Sequence, residues 1–255
     1  MRRALGALLS TLTAIALVFA GVCVLMFLAQ RALLYYPVGG GPPAGAERLE
    51  VRSGDATVRV WARGVPGAGA LIYFGGNAED VGMNFAPFAT ALPGRALYLV
   101  NYRGYGGSSG SPSERALFDD ALAVYDQVQA RHPAVAVAGR SLGSGVAVHL
   151  ASRRPVSRLV LVTPFDSIEN VAAGIYPFLP VRLLLLDKFD SASRVAAVRA
   201  PTLVVIAERD EVIPRARTDA LVAKFPAEQV RVEVVRGATH NALDYEDLLA
   251  AFLEK

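Results

Sequence analysis

Residues 134–143 read AVAVAGRSLG, an apolar segment that runs directly into a serine between two glycines, and the small-residue stretch SGVAVHL follows it. The apolar segment has the length and composition of a buried strand, and the stretch after it is typical of a helix. A serine in this setting is a nucleophile elbow, because the strained strand-to-helix turn leaves no room for side chains at the two glycine positions. The pattern predicts that Ser141 is presented at the C-terminal edge of a β-sheet.

Apolar and β-branched runs on both sides of this turn predict an α/β domain. The later runs have little polar alternation, which indicates strands buried on both faces of a mostly parallel sheet with helices on both sides. Ser111 as N-cap, Pro112 at the first helical position and Glu114 three after the cap predict one connecting helix that extends to about Ala130. The predicted strands are Thr57–Ala62, Ala70–Phe74, Ala96–Asn101, Ala134–Ala138, Arg158–Thr163, Thr202–Ala207 and Val230–Val235.

A serine hydroxyl needs a general base within hydrogen-bond reach, and histidine is the usual one. The chain has three histidines. We expect His132, which precedes Pro133, to be a surface or capping residue, and His149 lies about two helical turns beyond Ser141, out of reach. His240 stands in the loop GATHN, after the last predicted strand and before a C-terminal helix, and is therefore the predicted base.

The acid that orients this histidine is expected after the strand that ends at Ala207, where residues 208–214 read ERDEVIP. We favour Asp210 over Glu208 and Glu211, because turns favour aspartate and Pro214 then begins a helix. The order serine, acid, histidine along the chain is the order required at a G-x-S-x-G elbow.

An oxyanion hole at such an elbow uses the backbone N–H of the residue after the nucleophile, here Leu142, and a second N–H from a loop after an earlier strand. The sequence FGGNA at residues 74–78 provides a glycine-rich loop of this kind. We assign the second donor to the N–H of Asn77, with that of Ala78 as the alternative.

The N-terminal segment has the hydrophobicity of a membrane span, with no charged residue between Ala4 and Ala29. As a helix this run is about 39 Å long, enough to cross a hydrocarbon core of about 30 Å. It exceeds the apolar stretch of a secretory signal, so we expect residues 1–31 to be an uncleaved anchor rather than a cleaved signal. Arg2 and Arg3 outweigh Arg31, which favours a catalytic domain on the non-cytoplasmic side.

Residues 37–46 contain GGGPPAGA and are expected to be a flexible linker between the anchor and a domain over residues 47–255. In this interpretation the anchor is a tether, and its deletion would leave a folded enzyme. Cys23 is the only cysteine, which excludes an internal disulfide and a cysteine-based metal site. The net charge of +3 comes from dispersed basic residues, so nucleic acid is not an expected partner.

Five motifs together show a resemblance to a known family: YFGGNAED at 73–80, NYRGYGGSSGSPSE at 101–114, GRSLG at 139–143, APTLVVIAERDEVIP at 200–214 and GATHN at 237–241. The chain resembles the membrane-anchored α/β-hydrolases of the branch that includes protein depalmitoylases, lysophospholipases and many bacterial esterases. It departs from that pattern at Gly75, where the family usually has histidine, and at Asn101, where aspartate is common. The first departure leaves the shape of the oxyanion loop open.

The resemblance implies a serine hydrolase that acts on carboxylic esters or thioesters, with no cofactor and no metal. The expected substrate is a small acyl ester, a lipid or an acylated protein, and the oligomeric state stays open. The segment Pro164–Ala200 is longer than a simple crossover and is expected to be either an apolar lid or ordinary helix packing. Two other functions remain: a serine peptidase of the same fold, and a non-catalytic anchored protein that binds a partner in the cleft.

Overall fold

The computed structural model describes residues 2–254, and its first element is a long apolar helix, α1, at Arg2–Leu34. At 1.5 Å per residue this helix is about 50 Å long. Its most apolar stretch is not buried against the rest of the chain. By length and composition α1 could span a membrane or act as a signal sequence.

A single eight-stranded sheet forms the centre of the domain. Numbered along the chain, the strands lie in the order 1-2-4-3-5-6-7-8 across the sheet. Strands 1 and 2 pair antiparallel, as do strands 2 and 4, and all other neighbours pair parallel. This topology confirms the predicted α/β fold class. The strands are β1 Glu47–Ser53, β2 Ala56–Arg63, β3 Ala70–Phe74, β4 Ala96–Val100, β5 Val135–Arg140, β6 Leu159–Val162, β7 Thr202–Arg209 and β8 Val230–Thr239.

Helices cover both faces of the sheet. Consecutive side chains of a strand point to opposite faces, so a strand made only of apolar residues must be covered on both. In β3, Ile72 and Phe74 belong to one hydrophobic cluster, whereas Leu71 and Tyr73 belong to the other. Every predicted strand is present; Ala70–Phe74 has the predicted bounds, and the others differ at one or both ends. The helices after α1 are α2 Phe85–Ala91, α3 Glu114–Gln129, α4 Leu142–Arg153, α5 Ile168–Ile175, α6 Val181–Leu184, α7 Arg215–Val222 and α8 Glu246–Leu253.

The two edge strands differ from the sequence-based expectation. β1 was not predicted, since its exposed charges hide the alternation that buries Val51 and Ser53. β8 is mostly exposed rather than buried on both faces. An edge strand meets only one neighbour and needs less apolar sequence than a central strand.

The start of α3 corrects the predicted N-cap. Ser113, not Ser111, caps the helix, because its backbone is extended and its side chain accepts a hydrogen bond from the N–H of Ala116. The carboxylate of Glu114 cannot fold back on residue 111, since it accepts a hydrogen bond from the N–H of Lys188 at 2.7 Å. The SPSE segment offers two serines, and this tertiary contact selects the second.

The last turns of α1 pack against residues 164–200, which we call the cap. Arg31 pairs with Asp187 at 3.0 Å, and the Tyr35 hydroxyl donates to the same carboxylate at 3.1 Å. The Gln30 side chain donates to the carbonyl of Leu184 and accepts from the N–H of Leu186. The end of α1 is therefore packed as part of the domain, which departs from the expectation of a simple tether.

Candidate active site

The turn between β5 and α4 places Ser141 in a backbone conformation that few residues adopt. Its φ is 49° and its ψ is −117°, a strained conformation that costs about 1–3 kcal/mol for a residue other than glycine. A Cβ at Gly139 would lie 2.2 Å from the carbonyl oxygen of Gly143, and one at Gly143 would lie 2.1 Å from that of Phe74. Both glycines are therefore required sterically, as the sequence pattern predicts.

The structure brings Ser141, His240 and Asp210 together at the carboxyl edge of the parallel strands. The Nε2 atom of His240 lies 3.0 Å from the Ser141 Oγ. The Nδ1 atom of the same ring lies 2.9 Å from each carboxylate oxygen of Asp210. Ser141 follows β5, Asp210 follows β7, and His240 follows β8, so strands that are distant in sequence deliver the three side chains to one point.

The carboxylate of Asp210 is held by its own turn. Oδ1 accepts hydrogen bonds from the N–H groups of Val212 at 2.9 Å and Ile213 at 2.7 Å. Burial raises the pKa of Asp210, but the hydrogen bonds from His240 and from these two N–H groups outweigh it and lower the pKa below its ordinary value. Asp210 is therefore an ionised acceptor fixed in front of the imidazole.

The other two candidate acids hold loop backbone. Glu208 accepts a hydrogen bond from the N–H of Gly237 at 2.8 Å, and Glu211 accepts one from the N–H of His240 at 3.1 Å. In the described structure neither carboxylate is hydrogen-bonded to the histidine ring. The contacts thus favour Asp210 as the partner of the imidazole, in agreement with the turn-based choice.

The loop after β3 lies beside the elbow. Asn77, Ser141 and Leu142 line the same cavity. The N–H of Ala78 is occupied by the Oδ1 atom of Asn77 at 3.0 Å. Among the described residues the backbone N–H groups of Asn77 and Leu142 have no acceptor, so this pair is better suited than Ala78 to bind an oxyanion.

Glu79 organises this loop, and sequence reasoning did not identify it. One carboxylate oxygen accepts hydrogen bonds from the N–H of Gly76 at 2.6 Å and from Arg140 at 3.1 Å, and the other accepts from the Tyr73 hydroxyl at 2.6 Å. Arg140 also donates to the carbonyl of His240 at 2.8 Å. The signal available in the sequence was a carboxylate directly after a glycine-rich loop and an arginine inside the elbow motif.

Gly75, which replaces the family histidine, is fixed by contacts of its own. Its carbonyl accepts a hydrogen bond from the Tyr102 hydroxyl at 2.7 Å. A Cβ at this position would lie 2.6 Å from a methyl group of Val81. The loop therefore has no space for a side chain at residue 75 in this arrangement, and its shape depends on Tyr102 and Glu79 instead.

The other two histidines lie away from the site. His132 is buried, with its ring nitrogens 2.8 Å from the Ala68 carbonyl and 2.8 Å from the Tyr98 hydroxyl, so the expectation of a surface residue is wrong. His149 stacks on Phe118 with ring centroids 3.9 Å apart. Both are structural residues in the described fold.

Similarity to known proteins agrees with this geometry. A family model described as serine aminopeptidase, S33 (Hydrolase_4) matches residues 68–189. The uncharacterized protein Rv2307c of Mycobacterium tuberculosis is 40% identical over 244 residues, which cover 89% of this chain and 86% of that protein. Alpha/beta hydrolase domain-containing protein 17C of Mus musculus is 31% identical over 192 residues. The chain belongs to the α/β-hydrolase family.

The extent of the similarity to this α/β-hydrolase differs between a sequence relative and a solved structure. The matched region covers 72% of this chain but 57% of the mouse protein, which is therefore considerably longer. The Pyrococcus furiosus esterase Pf2001 superposes with a TM-score of 0.68, covering 86% of this chain and 98% of the esterase at 16% identity. At that identity the likeness concerns the fold alone.

The half-buried imidazole of His149 predicts a pH-dependent stability for this α/β-hydrolase. Burial, assisted by Arg194 and Arg153, lowers the pKa of His149 to about 4. In the unfolded chain the pKa of this imidazole is about 6.5. Between these values the unfolded state binds a proton that the folded state does not, so the free energy of unfolding falls as the pH drops through this window.

We expect a His149→Phe variant, which keeps the stacking on Phe118, to lose less stability than the wild type between pH 6.5 and pH 4. The measurement is the urea midpoint of each protein across this range. Parallel pH profiles for the two proteins would contradict the assignment of this dependence to His149.

Proposed function

We propose that this α/β-hydrolase is a serine hydrolase that cleaves carboxylic ester or thioester bonds through an acyl-enzyme intermediate. The observation that supports it is the continuous contact from Asp210 to His240 at 2.9 Å and from His240 to the Ser141 Oγ at 3.0 Å. A nucleophile, a base and an acid that orients the base constitute the catalytic unit of serine hydrolases.

In the first half-reaction, the Ser141 Oγ forms a bond to the substrate carbonyl carbon as Nε2 of His240 takes the hydroxyl proton. The tetrahedral intermediate collapses with cleavage of the bond to the leaving oxygen or sulfur, which receives that proton. Water then attacks the acyl-enzyme by the same route, His240 returns a proton to Ser141, and the carboxylic acid leaves. Asp210 stays ionised and holds the imidazole in the tautomer that accepts at Nε2.

The negative charge of the tetrahedral intermediates needs fixed donors, and we assign these to the N–H groups of Leu142 and Asn77. Within residues 2–254 neither N–H has a protein acceptor, and both residues line the cavity beside Ser141. A single donor of this kind is worth roughly a factor of 10²–10³ in kcat. Glu79 acts as a positioning residue, since it holds the N–H of Gly76 and the side chain of Arg140 on either side of the hole.

The cavity favours acyl substrates over peptides. It has a volume of about 310 Å³ and is bounded by apolar side chains of α1, of the cap and of residues 212–213. Its described lining contains no carboxylate, whereas an aminopeptidase needs an anion to bind the ammonium group of its substrate. A purely binding role is less well supported, because a protein that only binds has no need for a strained serine aligned with a histidine and an aspartate.

We further propose that α1 remains attached as a membrane anchor and places the catalytic domain on the non-cytoplasmic side. The excess of positive charge before the apolar run, Arg2 and Arg3 against Arg31, supports this orientation. Contacts of Gln30 and Arg31 with the cap support retention of the helix, since removal of a signal sequence would eliminate them.

The nucleophile assignment predicts that a fluorophosphonate probe labels the wild type, and that Ser141→Ala abolishes labelling and lowers kcat on a short acyl ester by a factor on the order of 10⁶. The matched control is Ser152→Ala, because Ser152 lies on α4 and bonds only to the His149 carbonyl. Gel fluorescence and initial rates provide the two measurements. Labelling that survives Ser141→Ala would refute the proposed function.

The assignment of the acid predicts that Asp210→Asn lowers kcat by a factor on the order of 10⁴, because the amide no longer holds the imidazole in the productive tautomer. Glu211→Gln is the matched control on the same turn, and we expect it to retain kcat within a few-fold. Steady-state kinetics on a soluble ester measure both. A larger loss for Glu211→Gln than for Asp210→Asn would contradict the assignment.

A further inference from the structure

One face of α1 is turned toward the cap. Cys23, Met26, Gln30 and Leu34 are half-covered by the rest of the chain, whereas Leu28 between them is 74% exposed. Spacings of three and four residues place the four covered positions on a single side of a helix. The second half of α1 therefore has one side toward the catalytic domain and one side away from it.

This covered face is a wall of the active-site cavity. The same cavity is lined by Ser141 and Asn77 and by side chains of the cap. The α1 residues in the wall extend over about 12 Å along the helix axis. The apolar side chains that define the two sides are Met26, Leu33 and Leu34 on α1, and Ile175, Leu179 and Leu184 on the cap.

The wall is fixed to the catalytic machinery by polar contacts. The Nδ2 group of Asn77 donates to the Leu34 carbonyl at 2.6 Å, and its Oδ1 accepts from the N–H of Tyr36 at 3.0 Å. Asn77, which we propose to supply an oxyanion donor, is thus hydrogen-bonded to the backbone at the end of α1. Arg31 is joined to Asp187 of the cap, whose side chain is 6% exposed.

A second apolar cavity lies further toward the N-terminus of α1. It has a volume of about 510 Å³ and lies between the helix segment from Ala14 to Val22 and the cap residues Phe178 and Leu179. Leu179 lines both cavities. The segment from Ala14 to Val22 lies within the charge-free run between Ala4 and Ala29 that has the length of a membrane span. The cap thus reaches the part of α1 that would lie within a bilayer.

The cap loop at residues 176–181 is suited to contact with hydrocarbon. Phe178 is 88% exposed, and the loop has no charged side chain. A loop in an apolar medium must satisfy its own backbone groups. Two of the six residues are prolines and have no N–H, and the N–H groups of Tyr176, Leu179 and Val181 donate to carbonyls within the cap, so that only the N–H of Phe178 has no acceptor among the described residues.

We propose that α1 is part of the substrate-binding site, and that the acyl cavity opens into the bilayer between α1 and the loop at residues 176–181. The enzyme takes a long-chain acyl ester of a bilayer lipid directly from the hydrocarbon layer, with the acyl chain lying along Met26 and Leu179 and the ester carbonyl at Ser141. This inference rests on the proposed serine hydrolase function and adds the substrate class and the residues that select it.

The first test uses the full-length protein in phosphatidylcholine vesicles with monoacylglycerol esters of increasing chain length. Because each buried methylene contributes roughly a four-fold gain, we expect kcat/KM of the wild type to rise with chain length. Met26→Trp fills the cavity and should lower the ratio of kcat/KM on long chains to kcat/KM on the butanoate ester by a factor on the order of ten, the gain from about two methylenes. The matched control is Leu28→Trp, on the exposed side of the same helix, which should retain the wild-type profile.

Fluorophosphonate labelling of each variant separates failure of this inference from failure of the proposed function. Intact labelling and butanoate hydrolysis with an unchanged chain-length profile in Met26→Trp, or an equal change in Leu28→Trp, would overturn the role of α1 alone. Preference for an S-acylated peptide over the glycerol ester in the same vesicles would overturn the assignment to lipids.

The second test measures insertion of the loop without reference to activity. Trp61 is the only tryptophan and is 1% exposed, so Phe178→Trp adds a reporter against a shielded background. In vesicles of lipids brominated along the acyl chain, we expect strong quenching of Phe178→Trp. Val232→Trp, on the exposed edge strand β8, should resemble the wild type. Equal quenching of the two variants would contradict an opening into the bilayer.

Discussion

The close approach of backbone to backbone around Ser141 is the constraint on which the rest of the site depends. The carbonyl of Phe74 occupies the space that a side chain at Gly143 would need, and the carbonyl of Gly143 occupies the space for one at Gly139. This packing holds β3 against the start of α4 and keeps Ser141 in its strained conformation. The same contact brings the loop after β3 next to the elbow, where an oxyanion donor has to lie.

Charged groups then fix the loops that the sheet delivers to this edge. Glu79 joins the oxyanion loop to Arg140, and Arg140 joins the elbow to the carbonyl of His240. The side chains of Arg140 and Glu79 are only 17% and 10% exposed. Each charge therefore needs the opposite charge beside it, because a buried charge without a partner destabilises the fold. Loss of either partner would release the loops on both sides of the nucleophile, which makes this pair a structural requirement for the geometry of the site.

The contacts between α1 and the cap join the long apolar helix to the α/β domain. The cap presents Phe178 and Leu183 with 88% and 83% of their surface exposed, which is unusual for a domain surrounded only by water. Both lie on the side of the domain where α1 departs. A helix that anchors the protein and also borders the acyl cavity would position the nucleophile at the depth where lipid esters are found.

The sequence by itself determined the fold class, and it predicted which serine, aspartate and histidine the fold brings together. Short-range patterns carry that information: an apolar run before GRSLG and the motifs around Asp210 and His240 are local in the chain. Only the tertiary structure decided which serine caps α3, how Glu79 holds the oxyanion loop, and that α1 borders the cavity. These features depend on groups far apart in sequence, such as Asn77 with Leu34 and Arg31 with Asp187, and no local pattern encodes a contact between them.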